Sequence, residues 1–304
     1  MNTSTVFDLY LERVTAGERV SAEEIHELAT TPDILPLGML ADTVRRRRHS
    51  ARTTFLRVAS VPLDAPFTEP LPQLAREIRV NGAPAHLDAA LEIVTRARAA
   101  AGGRTVSAFS WTDLERFSAG GEQRLTDVLI QLRAAGLDAF AELPLDRMSD
   151  VDAALDALAD AGFSHLRLTI DKIAAAQRTS LFLRVNQIHE RRPCVQAINP
   201  LPMTLATFRP TTGYEDVKTI AIARLAATDV PSIQVDWLRY GPKLAQVALA
   251  FGADDIDGIS PSDEAPEGRR RAPLEEVRRN IEAAGQAPHE RNGRFELIPA
   301  GQAR

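Results

Sequence analysis

The chain has 304 residues, 44% of them hydrophobic and 25% charged, with a formal net charge of −5. A core of that size suits one α/β barrel or two smaller domains, and the charge balance excludes the overall basic character of a nucleic-acid binder. A single cysteine, Cys194, excludes an internal disulfide framework and any cluster held by several thiolates of this chain, and no run reaches the roughly 18–20 apolar residues of a membrane span. The acidic, amphipathic start "MNTSTVFDLYLERV" lacks the basic-then-apolar order of a signal peptide, so a soluble cytoplasmic protein is expected.

Residues 1–50 read as an N-terminal helical extension ending in "RRRRH" (45–49). That run is expected to be a solvated helix end favourable to the helix dipole, with a phosphate or carboxylate clamp as the alternative. His49 stands in a cationic field that disfavours its protonation. Strand-like runs follow at Thr53–Val58, Glu77–Asn81, Thr105–Phe109, Asp138–Leu143, His165–Ile170, Val195–Asn199, Ser232–Trp237 and Asp255–Ile259. Stretches of helical periodicity separate most of them. Ser149 and Asp150 are N-cap candidates for one such stretch, and Gly252 is a C-terminal glycine for another. Eight strands alternating with helices predict an α/β fold, a (β/α)8 TIM-type barrel over 51–304. The first crossover is the exception. Residues 59–75 hold four prolines, which predicts no helix there; the sequence leaves open whether the wall stays open on that side, in which case a partner's element could fill it.

In such a barrel, function gathers at the C-terminal ends of the strands. Those ends offer Arg57, Asn81, Ser107, Ser110, Glu142, Thr169, Asp171, Asn199, Asp236, Trp237, Arg239, Asp257 and Ser260. Polar residues at these places also serve as helix caps and turn formers. Glu142 and Asp236 are candidate general bases and Arg239 a candidate anion contact. Asn81, Ser110, Thr169, Asn199, Trp237 and Asp257 are candidate ligand contacts. "FGADDIDGIS" (251–260) is rich in carboxylates, yet it lacks the spacing and distal glutamate of a calcium loop, so no metal site is expected. The six histidines form no zinc pattern, and no Gly-x-Ser-x-Gly, Walker or Gly-x-Gly-x-x-Gly string occurs. Cys194 opens a strand and is expected to be a small core residue.

Several of these strings resemble one known family. "LGMLADTVRRRRHS" (37–50), "REIRVNGAPAHLDAALEIVTRAR" (76–98), "AFSWTDLERFS" (108–118) and the stretch from "INPLPMTLATFRP" (198–210) to "IEAAGQAPHERN" are similar, in order, to segments of the aminofutalosine synthase and dehypoxanthine futalosine cyclase family. These are radical S-adenosylmethionine enzymes of the futalosine route to menaquinone. The resemblance implies a (β/α)8 barrel. It also implies a Cys-x3-Cys-x2-Cys loop after the first strand that holds a 4Fe–4S cluster. Here that loop is shorter and has no cysteine. "VNGAP" stands where the family has a double glycine, "FAELPLD" where it has Gly-Gly-Gly-Ala-Glu, and "LTIDKIAA" where it has a longer segment. With the ligands absent, neither 4Fe–4S nor S-adenosylmethionine is expected as a cofactor.

Two readings follow. One is a non-radical homologue that binds a futalosine-like nucleoside or small anion, or that accompanies an active futalosine-pathway enzyme. The other is a repurposed enzyme running acid–base chemistry at the barrel mouth. An active radical enzyme would need thiolates from elsewhere.

Overall fold

The computed structural model describes residues 3–67, 70–119, 125–170, 175–202, 213–268 and 271–299. Three helices open the chain: α1 (Thr3–Ala16), α2 (Ala22–Thr30) and α3 (Ile34–His49). Ser21 caps α2 in a reciprocal box with Glu24, which satisfies two backbone donors at the helix start. The end of α3 is solvated as expected at Arg46, Arg47 and Arg48, which are exposed, and departs from expectation at Arg45. Arg45 is buried on Asp42 and on the Ser50 carbonyl, Arg47 donates to the Val14 carbonyl, and Arg48 donates to the carbonyls of Thr228, Asp229 and Val230. These guanidiniums hold backbone carbonyls and a helix partner rather than a ligand. His49 accompanies them, on the Pro231 carbonyl. Burial, more than the neighbouring arginines, pushes its pKa below the ordinary histidine value.

The barrel follows as β1 (Arg52–Pro62), β2 (Glu77–Asn81), α4 (Leu87–Ala100), β3 (Thr105–Ser110), α5 (Trp111–Ala119), α6 (Leu125–Ala135), β4 (Ala139–Pro144), α7 (Val151–Asp160), β5 (Leu166–Ile170), α8 (Ala175–Arg191), β6 (Val195–Pro200), α9 (Tyr214–Ala226), β7 (Ser232–Asp236), α10 (Trp237–Ala250), β8 (Asp255–Ile259) and α11 (Pro273–Ala283). All eight strands are parallel, each paired to the next, and β8 returns to β1. Asp150 caps α7 as expected, and Gly252, at φ +102°, follows α10 in a left-handed conformation that L side chains rarely adopt. The residues of α8 in the "SLFLRV" stretch are ordinary core: Phe182 is fully buried, and Leu181 and Leu183 pack beside it.

The first crossover departs from expectation in an instructive way. β1 does not end at Val58 but continues through Pro62, and its second half pairs with β2 from Val58↔Glu77 to Pro62↔Asn81. Its first half is covered on the same edge by a ninth strand, β9 (Ala287–Glu290), in register from Arg52↔Ala287 to Phe55↔Glu290. The wall is therefore closed by the chain itself, and no gap remains there for a partner's element. The described residues between β1 and β2 contain no helix.

Candidate functional site at the barrel mouth

Residues two apart on a strand share a face. The inward faces of this barrel carry charge and amide groups, where a TIM-type barrel usually layers branched aliphatics. β2 sends in Glu77 and Arg79, β3 Ser107, β5 Arg167 and Thr169, β6 Asn199, β7 Gln234 and Asp236, and β8 Asp255 and Asp257. Glu77 is fully buried, and its Oε1 accepts from Arg79 at 2.7 Å, from Arg167 at 2.9 Å and from Ser107 at 2.6 Å. Arg79 also donates to Asp257 at 3.0 Å, and Arg167 faces Asp257 at 3.8 Å. Burial alone would push both carboxyls up. The two guanidiniums outweigh it and hold Glu77 and Asp257 below the usual carboxylate range.

Below this quartet lies a second ionic layer. Arg291 makes a bidentate pair with Asp255, at 2.6 Å to each oxygen, and Glu290 accepts from Arg57 at 2.7 Å and from Arg76 at 2.9 Å. The carboxylates of "FGADDIDGIS" are thus bound to arginines: Asp254 to Arg224, Asp255 to Arg291 and Asp257 to Arg79.

Above the quartet opens a cavity of about 270 Å³. Seven of the nine candidates from sequence line it: Asn81, Glu142, Thr169, Asn199, Asp236, Arg239 and Asp257. Ser110 and Trp237 do not. The Ser110 amide donates to Asp113 and its hydroxyl pairs with Thr112 at the start of α5, while Trp237 is buried in the core at the first position of α10. Asp171 lies outside the described residues. Ser60, Arg79, Arg167 and Gln234 complete the polar lining and were missed by reading strand ends alone. The available signal was the alternation "E-I-R-V-N" and "R-L-T", with a polar residue at every second place in strands that should be buried on both faces.

Individual roles differ. Asn81 donates to Ser60 at 3.0 Å, joining the ends of β1 and β2. Arg239 reaches Glu142 at 3.5 Å on the rim, so these two candidates are partners of each other. Asp236 caps α10 through one oxygen, accepting from the amides of Leu238 and Arg239 at 2.9 Å each. Burial, and then the charge of Asp257, push its pKa up. A raised folded-state pKa means that stability is lost as pH rises from the unfolded value near 3.9 through the folded one. Asp236→Asn keeps a capping oxygen and cannot ionise. Its stability relative to the parent should therefore increase between pH 4 and pH 7 in urea unfolding; a constant difference would mean that Asp236 carries no burial penalty.

Among the described residues, three buried polar atoms of the lining side chains have no hydrogen-bond partner: Arg167 Nη1, Thr169 Oγ1 and Asn199 Oδ1. Buried polar groups are nearly always satisfied, so such a group calls for an explanation, and a ligand is one.

The comparisons with known proteins agree with this architecture. Residues 203–303 match the family described as the CofH/MqnC C-terminal region. Aminodeoxyfutalosine synthase of Thermus thermophilus is 24% identical, with 94% of each chain covered. The C-terminal third of the chain thus matches the CofH/MqnC region, and nearly the whole chain is similar to an aminodeoxyfutalosine synthase. A shorter match, 37% identical over 29% of this chain and 24% of the relative, links it to the aminodeoxyfutalosine synthase of Streptomyces coelicolor. Another, 32% identical over 40% of this chain and 39% of the relative, links it to the 5-amino-6-(D-ribitylamino)uracil–L-tyrosine 4-hydroxyphenyl transferase of Archaeoglobus fulgidus. The same barrel occurs in the FeFe-hydrogenase maturase HydG of Carboxydothermus hydrogenoformans, at a TM-score of 0.67, 10% identity and coverage of 97% of this chain and 81% of that one. Methylornithine synthase (PylB) matches at a TM-score of 0.62, 15% identity and coverage of 92% and 97%.

The family's 4Fe–4S cluster does not fit the residues present. The place after β1 where the family carries three thiolates leads from a strand end paired to β2, with Ser60 and Asn81 at the mouth. The single cysteine lies just before β6, at the opposite end of the barrel from the mouth. It is buried, and burial pushes its thiol pKa up, away from the thiolate a metal requires.

Proposed function

We propose that this chain is a non-radical member of its family that binds a small polar ligand in the barrel mouth, a futalosine-like nucleoside or a small anion, in or beside menaquinone synthesis. The observation that carries the reading is the polar cavity at the strand ends, lined among others by Arg167, Thr169 and Asn199 on adjacent strands, each of which keeps one buried polar atom without a hydrogen-bond partner. The relatives' names point to compounds of this kind, a futalosine for the synthases and a ribitylaminouracil for the transferases. The fixed ion network beneath the cavity favours holding a ligand over turning it over, because its carboxylates are already committed to arginines. A catalytic role rests on Asp236 alone, whose raised pKa and second oxygen suit a general acid or base.

The test is a thermal-shift titration of the whole protein, as purified and after anaerobic iron–sulfide treatment, with aminofutalosine, dehypoxanthine futalosine and S-adenosylmethionine. A ligand that binds the folded state raises the melting temperature by mass action. We expect a shift with a futalosine compound, none with S-adenosylmethionine, and iron well below one cluster per chain. Stoichiometric cluster iron would overturn the reading, and so would the absence of a shift with every compound.

A further inference from the structure

The face opposite the mouth, where the strands begin, ordinarily serves stability. Most of its charges do so here: Asp254 is matched with Arg224 and Asp255 with Arg291. One cluster is not balanced. Asp138, just before β4, pairs with three guanidiniums, Arg98, Arg133 and Arg294, and among the described residues it is the one carboxylate with which any of the three pairs. Burial pushes the Asp138 carboxyl up, but the Val106 amide and Arg98 outweigh it and hold it below the usual range. One negative charge thus stands against three positive ones.

The three arginines are not equivalent. Arg98 is fully engaged, donating to the carbonyls of Gly136 and Arg104 and to Asp138. Arg133 and Arg294 each give one nitrogen to Asp138 Oδ1, at 3.2 Å in both cases, and Arg133 gives the same nitrogen to the Leu137 carbonyl. Their remaining donors pair with nothing among the described residues. Because the two nitrogens share one oxygen, they lie within twice that distance of each other. Both side chains line one cavity of about 220 Å³.

Ser164 and His165, just before β5, add to its polar wall. A Ser164 hydroxyl donating to His165 Nδ1, at 3.0 Å, leaves Nε2–H as a further donor. His165 stands at φ +61°, where glycine is unstrained and a side chain is not. Residues held in this way cluster at active sites and ligand clamps. The cavity is separate from the mouth. Gly293 lines it, and a Cβ there would meet Glu77 Oε2 at 2.6 Å, so the buried quartet lies between the two.

We infer that this face carries a second binding site, for a dianionic oxyanion of the phosphoryl type, held between Arg133 and Arg294 with Ser164 and His165 beside them. Planar guanidinium forks match adjacent oxygens of a tetrahedral anion, and the two surplus positive charges match its charge. A carboxylate ligand would leave one of them unmatched. The volume, about 220 Å³, is below that of ordinary ligand sites, which start near 300 Å³. It suits a phosphate group, free or at the end of a phosphomonoester, rather than a whole nucleotide.

The test is a calorimetric titration of the full chain with inorganic phosphate and with glycerol 3-phosphate, at neutral pH and constant ionic strength, with sodium chloride as the control. Phosphate should bind one per chain. Arg133→Gln and Arg294→Gln should each weaken it about tenfold, the worth of one charge-assisted hydrogen bond. His165→Gly removes the ring and the strain together. It should weaken phosphate several-fold while melting no lower than the parent, and a merely structural histidine would leave the affinity unchanged. Melting temperatures without ligand report whether each variant has folded. Tighter binding of glycerol 3-phosphate would identify the bound group as the end of a larger molecule, and equal binding the free ion. No heat beyond the chloride control would overturn the site. So would phosphate binding that survives both arginine substitutions, which would place the anion in the mouth and leave the ligand-binding reading standing.

Discussion

Glu77→Gln should lower the free energy of unfolding by about 3–5 kcal/mol, the loss expected when one member of a buried ion network is removed. The substitution nearly preserves volume, so little of that loss comes from a cavity. What changes is that Arg79 and Arg167 are left in the barrel interior with Asp257 as their remaining carboxylate. An amide oxygen accepts from one of them more weakly than a carboxylate does. The pH dependence separates this from a general packing defect. Glu77 and Asp257 are held below the usual carboxylate range. Their stabilisation is therefore complete above the unfolded value near 4 and is lost as pH falls through the lower folded-state values. The parent should lose stability steeply in acid, and Glu77→Gln should show a shallower acid slope as well as a lower midpoint in urea at pH 7. A variant within about 1 kcal/mol of the parent, with the parent's acid slope, would mean that the quartet is solvated and that the cavity floor is not fixed.

The same quartet explains which parts of the molecule could be read from the sequence. Glu77–Asn81 and Asp255–Ile259 are legible as strands residue for residue, since branched aliphatics punctuated by glycine or proline mark them. β1 reads short because Pro62 looks like a loop residue. It sits at the last position of the strand, where its missing N–H costs no ladder bond. β9 is illegible for a different reason. "APHE" has little strand propensity of its own, and the open edge of β1 makes it a strand. In the site, the strand-end rule finds Thr169, Asn199, Asp236 and Asp257 because the C-terminal end of a barrel strand is fixed by topology. It misplaces Ser110, the last residue of β3, whose amide and hydroxyl are taken up by the first turn of α5, and Trp237, which already opens α10. It passes over Arg79 and Arg167, since an arginine amid aliphatics reads as a surface residue until the strand is known to be buried on both faces. Which arginine meets which carboxylate across the lumen is a property of barrel closure, and no local pattern carries it.

Truncation before Ala287 is the second change with a large expected effect: the shortened chain should fail to give a cooperative unfolding transition at 37 °C, or melt at least 10 °C below the parent. β2 begins only opposite Val58, so without β9 the edge of β1 from Arg52 to Phe55 loses its ladder on that side. The truncation also removes Glu290, the carboxylate on which the fully buried Arg57 rests, and Arg291, the partner of the fully buried Asp255. One buried cation and one buried anion are then unpaired, each at a cost of about 3–5 kcal/mol, and together these approach the whole stability of an ordinary domain. The damage would spread to the mouth, because Asp255 sets the orientation of Gln234 and through it that of Asn199, and both line the cavity. The point variant Arg291→Met isolates that link. It should retain β9 and fold with reduced stability, and it should weaken ligand binding at the mouth although Arg291 is not among the residues lining that cavity. If Arg291→Met is destabilised but binds normally, Asn199 is oriented by its own surroundings. If the truncated chain melts like the parent, β9 is an ornament on the barrel, and closure of its first crossover must come from β1 and β2 alone.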